Sequence, residues 1–86
     1  SIMKLLVRNL SRETTAEELR KLFEEHGGVQ YCTLVMDTKT GKSKGFGFVE
    51  MPRPGDAKAA VKNLNGVTLN GSKIRIKKAD AEKNEK

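Results

Sequence analysis

The chain has 86 residues, of which 36% are hydrophobic, enough for one compact domain with a modest core and too few for a separate catalytic domain. Seventeen lysines and arginines against eleven acids, with a pI near 9.7, favour a polyanionic partner, and a single cysteine excludes an internal disulfide and a thiolate metal cage. No apolar run reaches the length of a membrane span and the N-terminus lacks an apolar stretch ending in small residues, so no membrane association is expected and a cytoplasmic location is, or a nuclear one in a eukaryotic cell.

Met3 to Leu10 is rich in leucine and ends at the polar cluster Ser11-Arg12-Glu13, which predicts a first strand. Thr15 with Glu18 forms a capping box, and Leu19, Leu22, Phe23 and His26 recur at helical spacing until Gly27-Gly28 stops the run, which predicts a first helix. Val29 to Met36 reads as a second strand, with Cys32 and Leu34 on one side and Thr33 and Val35 on the other; Cys32 is read as a small buried hydrophobe. The loop Asp37 to Ser43, basic through Lys39 and Lys42, leads into a third strand over Lys44 to Met51. Pro54 suits the first position of a second helix, whose stripe Ala57, Ala60, Val61 and Leu64 ends at Asn65-Gly66. Lys73-Ile74-Arg75-Ile76-Lys77 alternates, so a last strand turns both isoleucines inward and the three cations outward. Residues 3–79 are expected to form the domain, and 80–86 a charged, flexible tail.

The order β-α-β-β-α-β describes an α+β, ferredoxin-like sandwich: a four-stranded antiparallel sheet, first and third strands central, with two helices on one face and the other face open. In the third strand Lys44, Phe46, Phe48 and Glu50 then point to the open face, while Gly45, Gly47, Val49 and Met51 point to the core. Leaving two rings uncovered forgoes roughly 1.5–3 kcal/mol each, unless a partner covers them. Bases are flat apolar partners, and stacking on such rings is worth roughly 1–3 kcal/mol per base, with lysines and arginines at hand for the phosphates. The plainer alternative is a buried strand whose rings another element covers.

Two segments, Leu5-Leu6-Val7-Arg8-Asn9-Leu10 and Lys44-Gly45-Phe46-Gly47-Phe48-Val49-Glu50-Met51, resemble the hexamer and octamer signatures of the RNA recognition motif, the octamer following Asp37 at the family's usual distance and Leu64-Asn65-Gly66 matching its usual helix-end phrase. The resemblance spans nearly the whole chain, and the wording is most like that of small stand-alone bacterial members. It implies that Phe46 and Phe48 contact two neighbouring nucleotides, one by stacking and one by packing on base or sugar, while Arg8, Lys44, Arg75 and Lys77 engage phosphates and base edges. Asn9, Lys42 and Lys39 are second-rank candidates, joined by Lys78 and Ala79 after the last strand. The chain departs from the pattern at Leu6, where the family usually carries a ring, and at Met51, a core-facing position usually aromatic. Leu6 offers apolar contact without stacking, which weakens one of three positions; Arg8, two residues on, offsets part of it.

The reading is a non-enzymatic, monomeric module for single-stranded RNA, with single-stranded DNA or a protein partner as alternatives. No cofactor and no metal are expected: His26, the only histidine, has no second ligand at a useful spacing, and Lys44-Gly45 lacks the ending of a phosphate-binding P-loop.

Overall fold

The computed structural model describes residues 2–79; the expected tail, 80–86, lies outside the described residues. The elements are β1 (Met3–Arg8), α1 (Ala16–Glu24), β2 (Tyr31–Met36), β3 (Ser43–Met51), α2 (Pro54–Leu64), β4 (Thr68–Leu69), β5 (Ser72–Lys73) and β6 (Arg75–Lys78). Four strands make one antiparallel sheet in the order β2-β3-β1-β6, so the first and third strands are central, as the ferredoxin-like reading requires.

Strand alternation divides the sheet into two faces. Leu5 and Val7 of β1, Val49 and Met51 of β3, and Ile76 of β6 turn inward and are buried with Leu19 and Phe23 of α1 and Ala57, Ala60 and Leu64 of α2. Met51 is fully buried, so the departure there is a change of packing. Burial of side chains of this size contributes roughly 1.5–3 kcal/mol each, which makes the inward face the anchor of the fold.

The first helix starts where its cap specifies. Thr15 Oγ1 accepts from Glu18 N–H and Glu18 Oε1 accepts from Thr15 N–H, both at 3.1 Å, the reciprocal capping box. Pro54 opens α2, which ends at Leu64 with Asn65 as its C-cap. The expected first helix is shorter than its apolar spacing implies: α1 stops at Glu24, and His26 N–H and Gly27 N–H donate to Phe23 and Glu24, three residues back, tightening the last turn. His26 therefore sits beyond the helix, partly buried.

The last strand also needs correction. Lys73 is not in the main sheet; Ser72 and Lys73 pair with Leu69 and Thr68 in a separate hairpin. Its turn is Asn70-Gly71, with φ of 53° and 82°, the left-handed pair that a two-residue hairpin turn demands. Asn70 Nδ2 donates to Thr14 Oγ1 (2.9 Å) and Glu18 Oε1 (3.1 Å), pinning the hairpin to the start of α1. Ile74 and Ile76 both face inward as expected. At the outer edge of β6, Ile76 N–H donates to Asn65 Oδ1 (2.8 Å), and the backbone of Gly66 and Val67 bonds to Ile74.

β2 and β3 approach closely at Gly47. A Cβ there would overlap the Thr33 carbonyl and press on Leu34, so the requirement is for space rather than for an unusual dihedral. Gly47→Ala is expected to cost about 1–3 kcal/mol by overpacking, more than the roughly 0.4–1 kcal/mol gained from a stiffer unfolded chain. The measurement is the urea midpoint at unchanged m-value; a midpoint equal to or above that of the natural chain would mean that β2 yields freely.

Cys32 is half-buried against α1, its thiol 3.5 Å from the Ala16 carbonyl. Burial pushes this thiol above its ordinary 9.0, an effect that Arg20 opposes and Glu24 reinforces. The unfolded thiol ionises first, so as pH rises past 9.0 the unfolded chain holds fewer protons than the folded one and stability falls. Between about pH 8 and about pH 10 the natural chain should lose more stability in urea melts than Cys32→Ser; equal losses would exclude the effect.

Candidate nucleic-acid interface

The face opposite the helices carries the outward residues of all four sheet strands, and the pairing register arranges them in rows. Across the middle, Thr33 of β2 stands opposite Phe48 of β3, Phe48 opposite Leu6 of β1, and Leu6 opposite Lys77 of β6. In the next row Tyr31 is paired with Glu50 and Glu50 with Lys4. On the other side Arg8 is paired with Arg75, and Phe46 lies beside Arg8 in a shallow depression of about 300 Å³ that Lys44 and Arg12 also line.

Phe46 and Phe48 are partly exposed, their ring centroids 6.4 Å apart and their planes at 83°. This edge-to-face contact holds each ring against the other, and it means that two flat ligands cannot lie parallel on both. One ring presents its face where the other presents its edge. That geometry fits one stacked base and one packed base or sugar.

Lys4 Nζ sits 4.7 Å from the Phe48 centroid, over one face of the ring. Arg8 and Arg75, like charges directly opposite each other, would ordinarily destabilise a strand pair. No ion pair forms to Arg8, Arg75, Lys77 or Lys44 among the described residues. A second depression of about 300 Å³, lined by Arg8, Asn65, Arg75, Ile76 and Lys77, lies on the β6 side, so Arg8 stands between two basic hollows. Among the described residues Glu50 is the single acid that the sheet strands place on this face.

Most of the expected residues come together here: Phe46, Phe48, Leu6, Arg8, Lys44, Arg75 and Lys77 share the open face. Two stand apart. Asn9 adopts φ 61° at the end of β1 and its side-chain amide donates to the Lys73 carbonyl at 2.7 Å, a bond that ties β1 to the small hairpin. Lys42 lies in the β2–β3 loop and lines a groove with Thr14, Thr15 and Met36, off the sheet face; Lys39 is exposed in the same loop. Lys78 is exposed at the end of β6, and Ala79 N–H donates to the Lys4 carbonyl.

Lys4, Arg12 and Tyr31 belong to this surface although residue-by-residue reading passed over them. Alternation in the first strand puts Lys4 with Leu6 and Arg8, and alternation in the second puts Tyr31 with Thr33, so both were within reach of the period-2 rule. Arg12 was not, because it arrives through the left-handed turn at Asn9.

The profile of the RNA recognition motif matches residues 5–75. The human cleavage stimulation factor subunit 2 tau variant is 40% identical over 84 residues, which is 98% of this chain and 14% of that protein; the chain thus spans about a seventh of its length. The solved structure of the RNA-binding protein PG1 superposes with a TM-score of 0.87 at 36% identity, covering 91% of this chain and 94% of that one. A Sex-lethal protein/RNA complex superposes with a TM-score of 0.86 at 34% identity, covering 92% and 47%. The curated relatives compared are human, mouse and cattle proteins, so the expected likeness to small stand-alone bacterial proteins is not supported. With both signature strands inside or overlapping the matched span and paired at the centre of the sheet, the chain belongs to the RNA recognition motif family.

Proposed function

We propose that the chain is a non-enzymatic module that binds single-stranded RNA as a monomer on the open face of its sheet. Residues 3–79 form the module. A cytoplasmic or nuclear location goes with this reading, and no described helix is long and apolar enough to cross a membrane. The observation that carries it is the pair Phe46 and Phe48, left partly exposed on a central strand and bordered by cations that have no acidic partner among the described residues. A ring pair meant for the core would be buried by the helices, and these two face away from them.

One nucleotide stacks on Phe48 and its neighbour packs against Phe46, with Arg8, Lys44, Arg75 and Lys77 holding phosphates or base edges. Lys4 occupies one face of the Phe48 ring in the free protein. An exposed cation–π contact is worth roughly 0.5–1 kcal/mol and a stacked base roughly 1–3 kcal/mol, so a base displaces the ammonium, which then pairs with phosphate. Leu6 contributes apolar contact at the centre and no stacking. Affinity for short strands is accordingly modest. Asn9, with its amide held by Lys73, and Lys42, off the face, carry less of the binding.

The test is fluorescence anisotropy with randomised single-stranded RNA and a matched DNA pool across a salt series. Phe46→Ala and Phe48→Ala should each weaken RNA binding by roughly 5- to 150-fold while circular dichroism stays unchanged. Lys77→Gln should make the slope of log K against log salt shallower by about 0.7, the value for one phosphate on a single strand. RNA binding that is absent, or indifferent to loss of both rings, would transfer the face to a protein partner. Equal affinity for DNA would show that the ribose hydroxyl is not read.

A further inference from the structure

We propose that Asn70 is a site of spontaneous deamidation, and that the reaction unpins the β4–β5 hairpin from the start of α1. The inference stands apart from the RNA reading and rests on the chemistry of the hairpin turn.

An asparagine followed by glycine is the step most open to this reaction, because no side chain on the second residue shields its backbone nitrogen. The deprotonated nitrogen attacks the carboxamide carbon, ammonia leaves, and water opens the resulting succinimide ring to aspartate or isoaspartate. The chain has two such steps, Asn65-Gly66 and Asn70-Gly71, and both asparagines are exposed. The fold separates them. At the first, nucleophile and carboxamide are both engaged: Gly66 N–H donates to the Ile74 carbonyl (2.8 Å), and Asn65 Oδ1 accepts from Ile76 N–H (2.8 Å). Freeing them means moving Ile74 and Ile76, whose side chains are buried in the core. At the second, Gly71 N–H donates to no group among the described residues. Apart from its chain neighbours, nothing stands within 4 Å of where a Gly71 Cβ would be, so water and hydroxide reach the nitrogen.

What holds Asn70 is its own carboxamide, whose Nδ2 donates to Thr14 Oγ1 and Glu18 Oε1. Both bonds must break before the carboxamide carbon can turn onto the Gly71 nitrogen. That opening is local: two residue pairs, Thr68 with Lys73 and Leu69 with Ser72, close the hairpin, and none of the four is among the buried core residues. Asn65 has no comparable route.

The product reverses the contact that pins the hairpin. A carboxylate replaces an amide that donates to Glu18 Oε1 across 3.1 Å, so an attraction becomes a like-charge repulsion. The N-terminal end of α1 attracts anions, but Glu17 and Glu18 already supply acids there. Glu18 Oε1 also accepts from Thr15 N–H, so the repulsion bears on the capping box of α1. Isoaspartate goes further, adding a methylene to the backbone of a turn whose length sets the hairpin register.

The natural chain would be aged in mildly alkaline buffer, folded and in urea, and the tryptic peptide 63–73 sequenced by tandem mass spectrometry, with isoaspartate counted by enzymatic methylation. In the folded chain the acid should accumulate at position 70 while Asn65 keeps its amide; in urea both should convert. Conversion of Asn65 as fast as Asn70 in the folded chain, or of neither while both convert in urea, would overturn the proposal. Asn70→Asp should lower the urea midpoint, and by less in a Glu18→Gln background, where glutamine keeps the capping box and removes the like charge. An unchanged midpoint in Asn70→Asp would show that deamidation leaves the hairpin pinned.

Discussion

The register between β1 and β3 is the constraint on which the rest depends. It sets Leu6 opposite Phe48 and Val7 opposite Gly47, and thereby sorts every outward side chain from every inward one on the two central strands. A slip of one residue would drive Phe46 and Phe48 toward the helices and bring Val49 and Met51 to the surface. The inward set cannot leave: Leu5, Val7, Val49 and Met51 are wholly buried against Leu19, Phe23 and the alanines of α2. The core therefore holds the binding face in place, although no residue of the face belongs to the core. Gly47 adds a second lock, because only a residue without a side chain lets β2 lie this close to β3.

Given that frame, the chemistry of the face follows from what has been left uncompensated. Arg8 and Arg75 oppose each other without a carboxylate between them, and Lys77 and Lys44 have no acidic partner among the described residues. Each like-charge pair costs a few tenths of a kcal/mol to about 1 kcal/mol, small beside a core of a dozen buried apolar residues. The fold tolerates that repulsion easily. In the proposed complex an arriving phosphate would remove it, so relief of internal repulsion and attraction to the ligand would act in the same direction. The rings follow the same logic: apart from their contact with each other and Lys4 over Phe48, they keep apolar surface open to solvent.

How much of this was legible beforehand depended on whether a signal was periodic. The two helices, the inward and outward sets of β1 and β3, and both isoleucines near the C-terminus follow from spacing and caps, and the structure agrees with them within a residue or two. The β4–β5 hairpin escaped because two-residue strands have no period to detect, although Asn70-Gly71 carried the turn in plain view. Lys4 over Phe48 is a contact between strands, set by register, which a single segment cannot report. Asn9 shows a different limit. A polar side chain at a strand end can reach outward to a ligand or back to the chain, and only the positive φ that aims it at Lys73 distinguishes the two.

The side chain of Asn65 has a consequence for how copies of this domain behave beside one another. A strand at the border of a sheet exposes a row of backbone donors and acceptors, a template on which another polypeptide can add itself. At β6 part of that row is met from within: Asn65 takes the Ile76 N–H, and just before the strand the backbone of Gly66 and Val67 takes both polar groups of Ile74. The opposite border, β2, changes register against β3 between Leu34 and Met36, a local irregularity of the kind that twists a border away from flat pairing. The two margins are thus protected by different means, one by a helix end and one by a bend. A sheet whose face stays open to solvent thus has rims that offer a second copy less than two flat, uninterrupted strands would.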